Sequence, residues 1–442
     1  MQIAEIKFKE LIDRVDANFY VSRLATISEL HQQYQNLGDV CKFPRAKTPP
    51  RELYFKTGIP VIKLKNVTNY FLQLKDTDYI PESSYKDFFQ PKTGDILITA
   101  TGEGTIGRVG LFENKFKCIV TAEVMIVRPE KINPYFLFVY LRSPHGRFQL
   151  ERYARGSTGQ THLYSKDVAL IPIPRPSKKL EQEIERFVKL AHQKKKQADK
   201  IYEEAEKRLY ELLGIKKLDL DFEKTFEAQS SEVFSVMRYD SEYYQPKYRK
   251  IIEILRQSKF KVQKIEEVIN ISTKKVNPQN NPTHKIKYVE LADINPSTGE
   301  IESYSELYGY EAPSRARMAI KQGDVLVASL AGSLNNIGLV PAELDNEVAS
   351  TGFFVINSEN YLSEFLLLLF RSEILKKQLE QKTAGAIMAA VPKSVFGDLL
   401  VPVIPIQKQE KIAELVQKSH DARKKAKELL EEAKQKVENL IE

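Results

Sequence analysis

Two kinds of hydrophobic pattern alternate along this chain, and the alternation occurs twice. Short apolar runs at 58–64 and 95–99 sit between Gly, Pro and Asn turns, the pattern of strands in a mixed α/β domain. Apolar stretches at 134–151 and 362–380 predict one helix in each copy. Each copy then ends in a charged segment with apolar residues every three or four positions. In the first segment these are Leu180, Ile184, Phe187, Ala191, Ala198, Ile201, Ala205, Leu209 and Leu212, with Lys194 interrupting one core position. In the second they are Ile412, Leu415, Ser419, Ala422, Ala426, Leu429, Ala433, Val437 and Leu440. A helix of roughly 34 residues spans about 50 Å. So narrow a seam on a charged cylinder needs a partner helix, and the other copy is the obvious one. The alternative is that each helix packs on its own domain. Gly214 is a natural stop for the first helix.

The repeat has an offset near 228 residues. Arg14-Val15-Asp16-Ala17-Asn18-Phe19-Tyr20 matches Arg238-Tyr239-Asp240-Ser241-Glu242-Tyr243-Tyr244. Lys92-Thr93-Gly94-Asp95-Ile96-Leu97-Ile98 matches Lys321-Gln322-Gly323-Asp324-Val325-Leu326-Val327. An Ile-Gly pair follows in each, Ile106-Gly107 and Ile337-Gly338. Tyr140-Leu141-Arg142-Ser143 matches Leu369-Phe370-Arg371-Ser372, and Ile171-Pro172-Ile173-Pro174 matches Val401-Pro402-Val403-Ile404-Pro405. The expected fold class is α+β: two similar mixed α/β domains, each followed by a long helix, the two helices pairing as an antiparallel coiled coil with a pseudo-twofold internal repeat. The boundaries read as domain 1–177, helix 178–214, linker 215–232, domain 233–406 and helix 407–442.

Charge changes this picture in one respect. The chain of 442 residues has net charge +8 and 42% hydrophobic residues, a globular composition that suggests a polyanionic partner. Residues 1–177 hold 25 Lys/Arg against 18 Asp/Glu, a net +7, whereas 218–406 hold 21 against 25, a net −4. If the second domain binds a polyanion, a local basic patch must do it. The richest apolar run, Phe365 to Phe370, stops after six residues, far short of the ~20 needed for a membrane span. The N-terminus has no apolar signal core, so the expected location is the cytoplasm. Cys41 and Cys118 stand far apart with no Cys or His at ligand spacing, which excludes a disulfide framework and argues against zinc.

Catalytic signatures are missing from both copies. Gly102-Glu103-Gly104-Thr105-Ile106-Gly107 matches GxGxxG, but a nucleotide fold needs a helix next, and Arg108-Val109-Gly110-Leu111-Phe112 reads as strand. The second copy, Ala331 to Gly338, lacks the glycine pattern. There is no Walker loop, no HExxH, and no Asn/Asp-Pro-Pro-aromatic sequence. The six histidines are scattered, with His192 and His420 placed as solvated side chains on the charged helices. Polar residues on turns suit contact with phosphates and base edges instead. The candidates in the first copy are Lys63, Lys65, Asn66, Thr101, Thr105, Arg108, Gln160 and His162. In the second they are Lys287, Ser333, Asn335, Asn336, Lys382 and Lys393.

In order and duplication, these motifs resemble the specificity subunits of type I restriction–modification enzymes, and the resemblance covers the whole chain. It rests on the aromatic opening (Phe19-Tyr20; Tyr243-Tyr244), Gly-Asp-Ile/Val-Leu-Ile/Val, a polar Gly-rich loop and the Ile-Pro-Ile-Pro exit. A long helix then opens on Glu181-Gln182-Glu183-Ile184 or Gln409-Glu410-Lys411-Ile412. The resemblance implies a non-catalytic DNA-binding subunit whose two target-recognition domains each read half of a split double-stranded target. It implies helices that set the gap and carry methyltransferase subunits, joined by restriction/translocase subunits. No cofactor is implied in this chain; S-adenosylmethionine, ATP and Mg belong to those partners. Alternative readings are the recognition part of a single-chain restriction–methylation enzyme or other phage-defence complex, and a protein-only coiled-coil scaffold.

Overall fold

The structure is a computed structural model that describes residues 34–68, 72–74, 77–102, 104–113, 116–156, 161–215, 218, 220–384 and 389–441. The chain forms two compact units. One is Met1–Lys196 with Arg423–Glu442; the other is Gln197–Ala422. Each unit therefore holds one domain of the repeat together with a half of each long helix.

The two domains are built from the same parts in the same order. In the first, an antiparallel sheet runs in the order Cys41–Lys42, Val124–Pro129, Ile96–Thr99, Val109–Leu111. The second domain repeats it with Asn270–Ile271, Phe353–Asn357, Val325–Ala328 and Ile337–Leu339. Ile96 lies between Leu111 and Val127, and Val325 between Leu339 and Ile356, so the register repeats too. Beside this sheet lies another, with Ile59–Ile62 antiparallel to Asp78–Ile80 and parallel to Ile119–Val120. Its counterpart joins Lys285–Val289 to Ser305–Tyr308 and Val348–Ser350, and adds Ala316–Ala319. The proline exits close each domain: Pro172–Pro174 pairs with Tyr34–Asn36, and Leu400–Pro402 with Val262–Lys264. The Arg14–Tyr20 half of the aromatic repeat lies outside the described residues.

The shared Gly-Asp motif is a turn that the side chain stabilises. Gly94 and Gly323 take φ of 94° and 85°, where a Cβ would be strained. The next residue, Asp95 or Asp324, is buried and accepts from the backbone N–H of Lys92 or Lys321 at 2.8 and 2.9 Å. Arg128 grips Asp95 with two 2.7 Å bonds; in the second domain Asn357 donates to Asp324 at 2.8 Å. These carboxylates hold the turn before the central strand and are not available for chemistry.

The helix expected over 134–151 is two helices, Pro134–Arg142 and Pro144–Tyr153, and that expected over 362–380 is Ser363–Arg371 and Glu373–Lys382. Ser143 and Ser372 adopt extended backbone at the joint, and each hydroxyl donates to a carbonyl three residues earlier, Tyr140 or Leu369. Pro144 favours the break in the first copy by excluding helical backbone at Ser143.

The long helices are Lys178–Leu212 and Ile406–Ile441. The first stops in a Schellman arrangement: Gly214 takes φ 74°, and the Ile215 N–H reaches the Tyr210 carbonyl at 2.9 Å. The helices pair antiparallel. Within the first unit Lys436 meets Glu183 at 2.8 Å, and within the second the Ser419 hydroxyl donates to the Ala198 carbonyl at 2.8 Å. The fully buried alanines Ala191, Ala198, Ala205, Ala426 and Ala433 permit the close approach. The seam's phase differs from expectation in places. Ile184, Ala191, Leu209, Ile412, Ala426 and Leu429 are buried, but Val188, Tyr202 and Leu213 take the positions assigned to Phe187, Ile201 and Leu212. Likewise Val416 is buried and Leu415 only half-buried, Leu180 is half-buried, and Leu440 is exposed. Phe187 flanks the seam under the Lys436 ammonium. Both phases satisfy 3–4 spacing, because apolar residues stand side by side at 187/188, 201/202, 212/213 and 415/416. His192 is not solvated either: its Nδ1 lies 2.9 Å from the Glu113 carboxylate.

Candidate nucleic-acid interface

One end of each domain gathers polar loops, and hydrogen bonds join them. In the first domain the loop after Ile96–Thr99 continues directly into the strand Val109–Leu111, so the GxGxxG stretch is a hairpin loop and not a nucleotide cradle. Its first residues are bridged to a second loop. The Leu163 N–H donates to the Ala100 carbonyl (2.8 Å), Thr101 lies opposite His162, and His162 and Arg155 exchange backbone bonds of 2.7 and 2.8 Å. The turn at 121–123 supports this pair from beneath through Ala100 N–H to the Glu123 carbonyl, 3.0 Å.

The second domain builds the same joint from different residues. The Val391 N–H donates to the Ser329 carbonyl at 2.8 Å, and the Ala331 N–H to the Ala389 carbonyl at 2.8 Å. Leu330 lies opposite Ala390, which lies opposite Ala384. Ser329 is tied by its N–H and its hydroxyl to the Gly352 carbonyl, both at 2.9 Å. Only the backbone geometry is conserved between the two, so the side chains displayed on it are free to differ.

Most, but not all, of the candidate side chains gather here. Thr101, Thr105, Arg108 and His162 stand half-buried on the two bridged loops. The Thr105 hydroxyl donates within its own turn to Thr101 and Gly102 (3.3 Å each), and Arg108 reaches the Gly104 carbonyl at 3.5 Å. Lys63 and Lys65 follow the strand Ile59–Ile62, whose last carbonyl accepts from the Thr121 N–H, so they reach the same end. The Lys63 ammonium pairs with Asp78 at 2.7 Å and lies 3.8 Å over the Tyr54 ring. Burial works against its charge, but Asp78 and Tyr54 hold its pKa above the ordinary value. The Lys63 hydrogen bond in turn lowers that of Asp78. In the second domain Ser333 and the exposed Asn335 lie on the first loop, and the exposed Lys393 follows the second. Gln160 lies outside the described residues.

Three candidates have other work. Asn66 is buried, and its amide accepts from Lys63 N–H (2.8 Å) and donates to the Gln73 carbonyl (2.7 Å), with the Thr77 hydroxyl at 3.4 Å. Lys287 lies toward the other end of its sheet, where its N–H and ammonium bond Glu347 (2.7 Å) and the Glu343 carbonyl (2.9 Å). Lys382 turns to Tyr243, with its ammonium 3.4 Å from the hydroxyl. Asn336 is half-committed, since its amide donates to the Leu291 carbonyl at 2.6 Å.

Sequence reasoning missed a basic strip at the same end. In the acidic second domain, segment 274–276 pairs with Ala316–Ala319: Val276 N–H to Arg317 carbonyl 2.9 Å, Ala319 N–H to Lys274 carbonyl 3.2 Å. Lys274, Lys275 and Arg315 are exposed there, beside the half-buried Arg317. The strip adjoins the loops, because the Arg315 carbonyl accepts from Thr351 N–H at 2.9 Å, one residue before Gly352. The first domain has exposed Arg45 and Lys47 in the corresponding segment, joined to the 121–123 turn by Ala122 N–H to Thr48 Oγ1 at 3.1 Å. The offset of 229 residues that relates Gly94 to Gly323, applied to basic residues, pairs Arg45 with Lys274.

A sequence model of the type I restriction modification DNA specificity domain matches this chain twice, over residues 32–206 and 257–437. The chain belongs to that family. It is thus a type I specificity subunit, a non-catalytic part of a restriction–modification enzyme. A protein of Methanocaldococcus jannaschii named as the MjaX type I restriction enzyme specificity subunit is 21% identical over 440 residues, 96% of each chain. The HsdS subunit from Thermoanaerobacter tengcongensis is 36% identical over 35% of this chain and 40% of its own, with a TM-score of 0.33. The S subunit from M. genitalium is 14% identical over 92% of this chain and 94% of its own, TM-score 0.43. Specificity domains matching at both copies account for the duplicated order of strands, split helix and long helix. Among the described residues there is no group of metal-ligating side chains, and no helix is long and apolar enough to cross a membrane.

Proposed function

We propose that this specificity subunit binds double-stranded DNA with both units, each reading one half of a target whose two specified parts are separated by an unspecified gap. The observation that carries the reading is the bridged loop pair, built twice on the same backbone with different side chains. A constant frame with variable polar residues suits two readers of different half-sites. Beside each pair lies a basic strip, Arg45 and Lys47 in one unit and Lys274 and Lys275 in the other, suited to phosphates. The long helices leave charged faces outside the buried seam, and there methyltransferase subunits dock, with restriction/translocase subunits joining them. Those partners supply S-adenosylmethionine, ATP and Mg. The assembly works in the cytoplasm, where its DNA is.

The test is selection from a pool of random duplexes by the full chain with its methyltransferase subunits, followed by sequencing of the retained DNA. Two short specified parts with a fixed gap are expected. One continuous motif, or no enrichment, overturns the reading. Calorimetry should find S-adenosylmethionine bound only when the methyltransferase subunits are present.

A further inference from the structure

We propose that Glu123 is a base-reading residue of the first unit, its carboxylate accepting a hydrogen bond from the exocyclic amino group of a cytosine or adenine in the major groove. The inference rests on the DNA-binding function proposed above and assigns one position of one half-target.

Glu123 stands where three segments of the interface meet. Its carbonyl accepts from Ala100, at the root of the first loop. The preceding Ala122 N–H bonds Thr48 in the basic segment, and Thr121 N–H bonds the carbonyl of Ile62, next to Lys63. The side chain is half-buried and fixed: the Thr48 hydroxyl donates to Oε2 at 3.1 Å. Burial alone would raise its pKa, but hydrogen bonds from Thr121, its own backbone N–H and Thr48, with the charge of Lys63, hold it below the ordinary value. The group is therefore ionised at neutral pH.

An ionised carboxylate on a surface that meets phosphates works against binding unless it gains a donor there. Arg45, Lys47 and Lys63 offset the repulsion locally. A carboxylate has about four acceptor sites. The Thr48 hydroxyl uses one of them, which leaves room for a donor from outside. In the major groove the exocyclic amino groups are the donors, N4 of cytosine and N6 of adenine. The corresponding position in the second unit is Gly352, where a Cβ would come within 2.6 Å of Leu291 Cδ1. Thus the second reader has no acceptor at this point, and the two half-targets differ there.

The duplex selection described above, run with E123Q and E123A beside the unchanged chain, tests this. The unchanged chain should require cytosine or adenine at one position of one half-target, and the enriched base tells the two apart. E123A should lose that preference by about tenfold or more, whereas E123Q, whose amide pairs with N6 and N7 of adenine together, should favour adenine over cytosine. The other half-target should not change. A motif identical in all three proteins overturns the inference and leaves the DNA-binding function standing. A loss of affinity equal on all sequences also overturns it, because that marks Glu123 as a brace for Thr48. If the unchanged chain enriches nothing, the function and this inference fall together.

Discussion

Asn66 and Lys274 show how differently polar residues serve at the same surface. Asn66 has the amide that base reading favours, but its donors and acceptors are turned inward to Lys63, Gln73 and Thr77. Asn66→Ala should therefore lower thermal stability, by about 1–3 kcal/mol for a buried polar partner lost. It should not alter preference at any single base, which differential scanning calorimetry and the duplex selection would check together. Lys274 and Lys275 have no ion pair among the described residues and are exposed. Changing both to Gln should reduce the slope of log affinity against log salt by nearly 2, at about 0.9 per phosphate contact. The loss should be the same for all sequences; an unchanged slope would place the strip off the DNA. The second domain has net charge −4, and Lys274, Lys275 and Arg315 form the local basic patch that binding a polyanion would require of it. Residue types on loops were legible in the sequence because Gly and Pro mark the turns. Whether a given amide is bonded inward was not, because its partner, such as Leu291 for Asn336, is fixed only by tertiary folding.

At the scale of elements, the sequence carried the order and the repeat, and lost the phase of the helix seam. Heptad spacing is a relative measure. Where Phe187 neighbours Val188 and Ile201 neighbours Tyr202, period alone does not choose between them. The choice falls to packing. Tyr202 turns inward because its hydroxyl accepts from the buried Arg371 at 2.8 Å, while Arg371 also bonds the Ile337 and Pro296 carbonyls (3.3 and 3.2 Å). The seam now has a sharp test. Ala205 is fully buried, so Ala205→Leu should overpack it and cost about 1–3 kcal/mol. Leu440 is exposed at 37%, so Leu440→Ala should change stability by less than about 0.5 kcal/mol. Urea unfolding of the two variants measures both, and a cost at Leu440 as large as that at Ala205 would return Leu440 to the seam position that spacing assigned to it. The split of the 134–151 stretch was half legible, since Pro144 announces a break, but Ser372 breaks its helix with no proline beside it.

At the scale of the whole molecule, the units do not follow the boundaries that composition suggests. The first domain shares its core with the far end of the chain: Phe136, Leu150 and Ile184 pack in one cluster with Ala426, Leu430, Ala433 and Val437. The compact unit that contains this core is 1–196 together with 423–442. This changes how the two-reader proposal should be tested by exchange with a relative. A chimera exchanging only 1–177 sets a foreign domain against native helix ends, and the mismatched core forfeits close packing of several buried side chains, each worth about 1 kcal/mol or more. A chimera exchanging 1–196 and 423–442 keeps that core intact and should melt higher. Both should change one half of the selected target and leave the other as it was, because the described loop residues of the second unit, 329–336, 383–384 and 389–392, lie wholly within 197–422. Melting curves and duplex selection on the two chimeras separate the claims. Equal melting temperatures would show that the shared core does not govern stability, and a change in both half-targets would end the two-reader proposal.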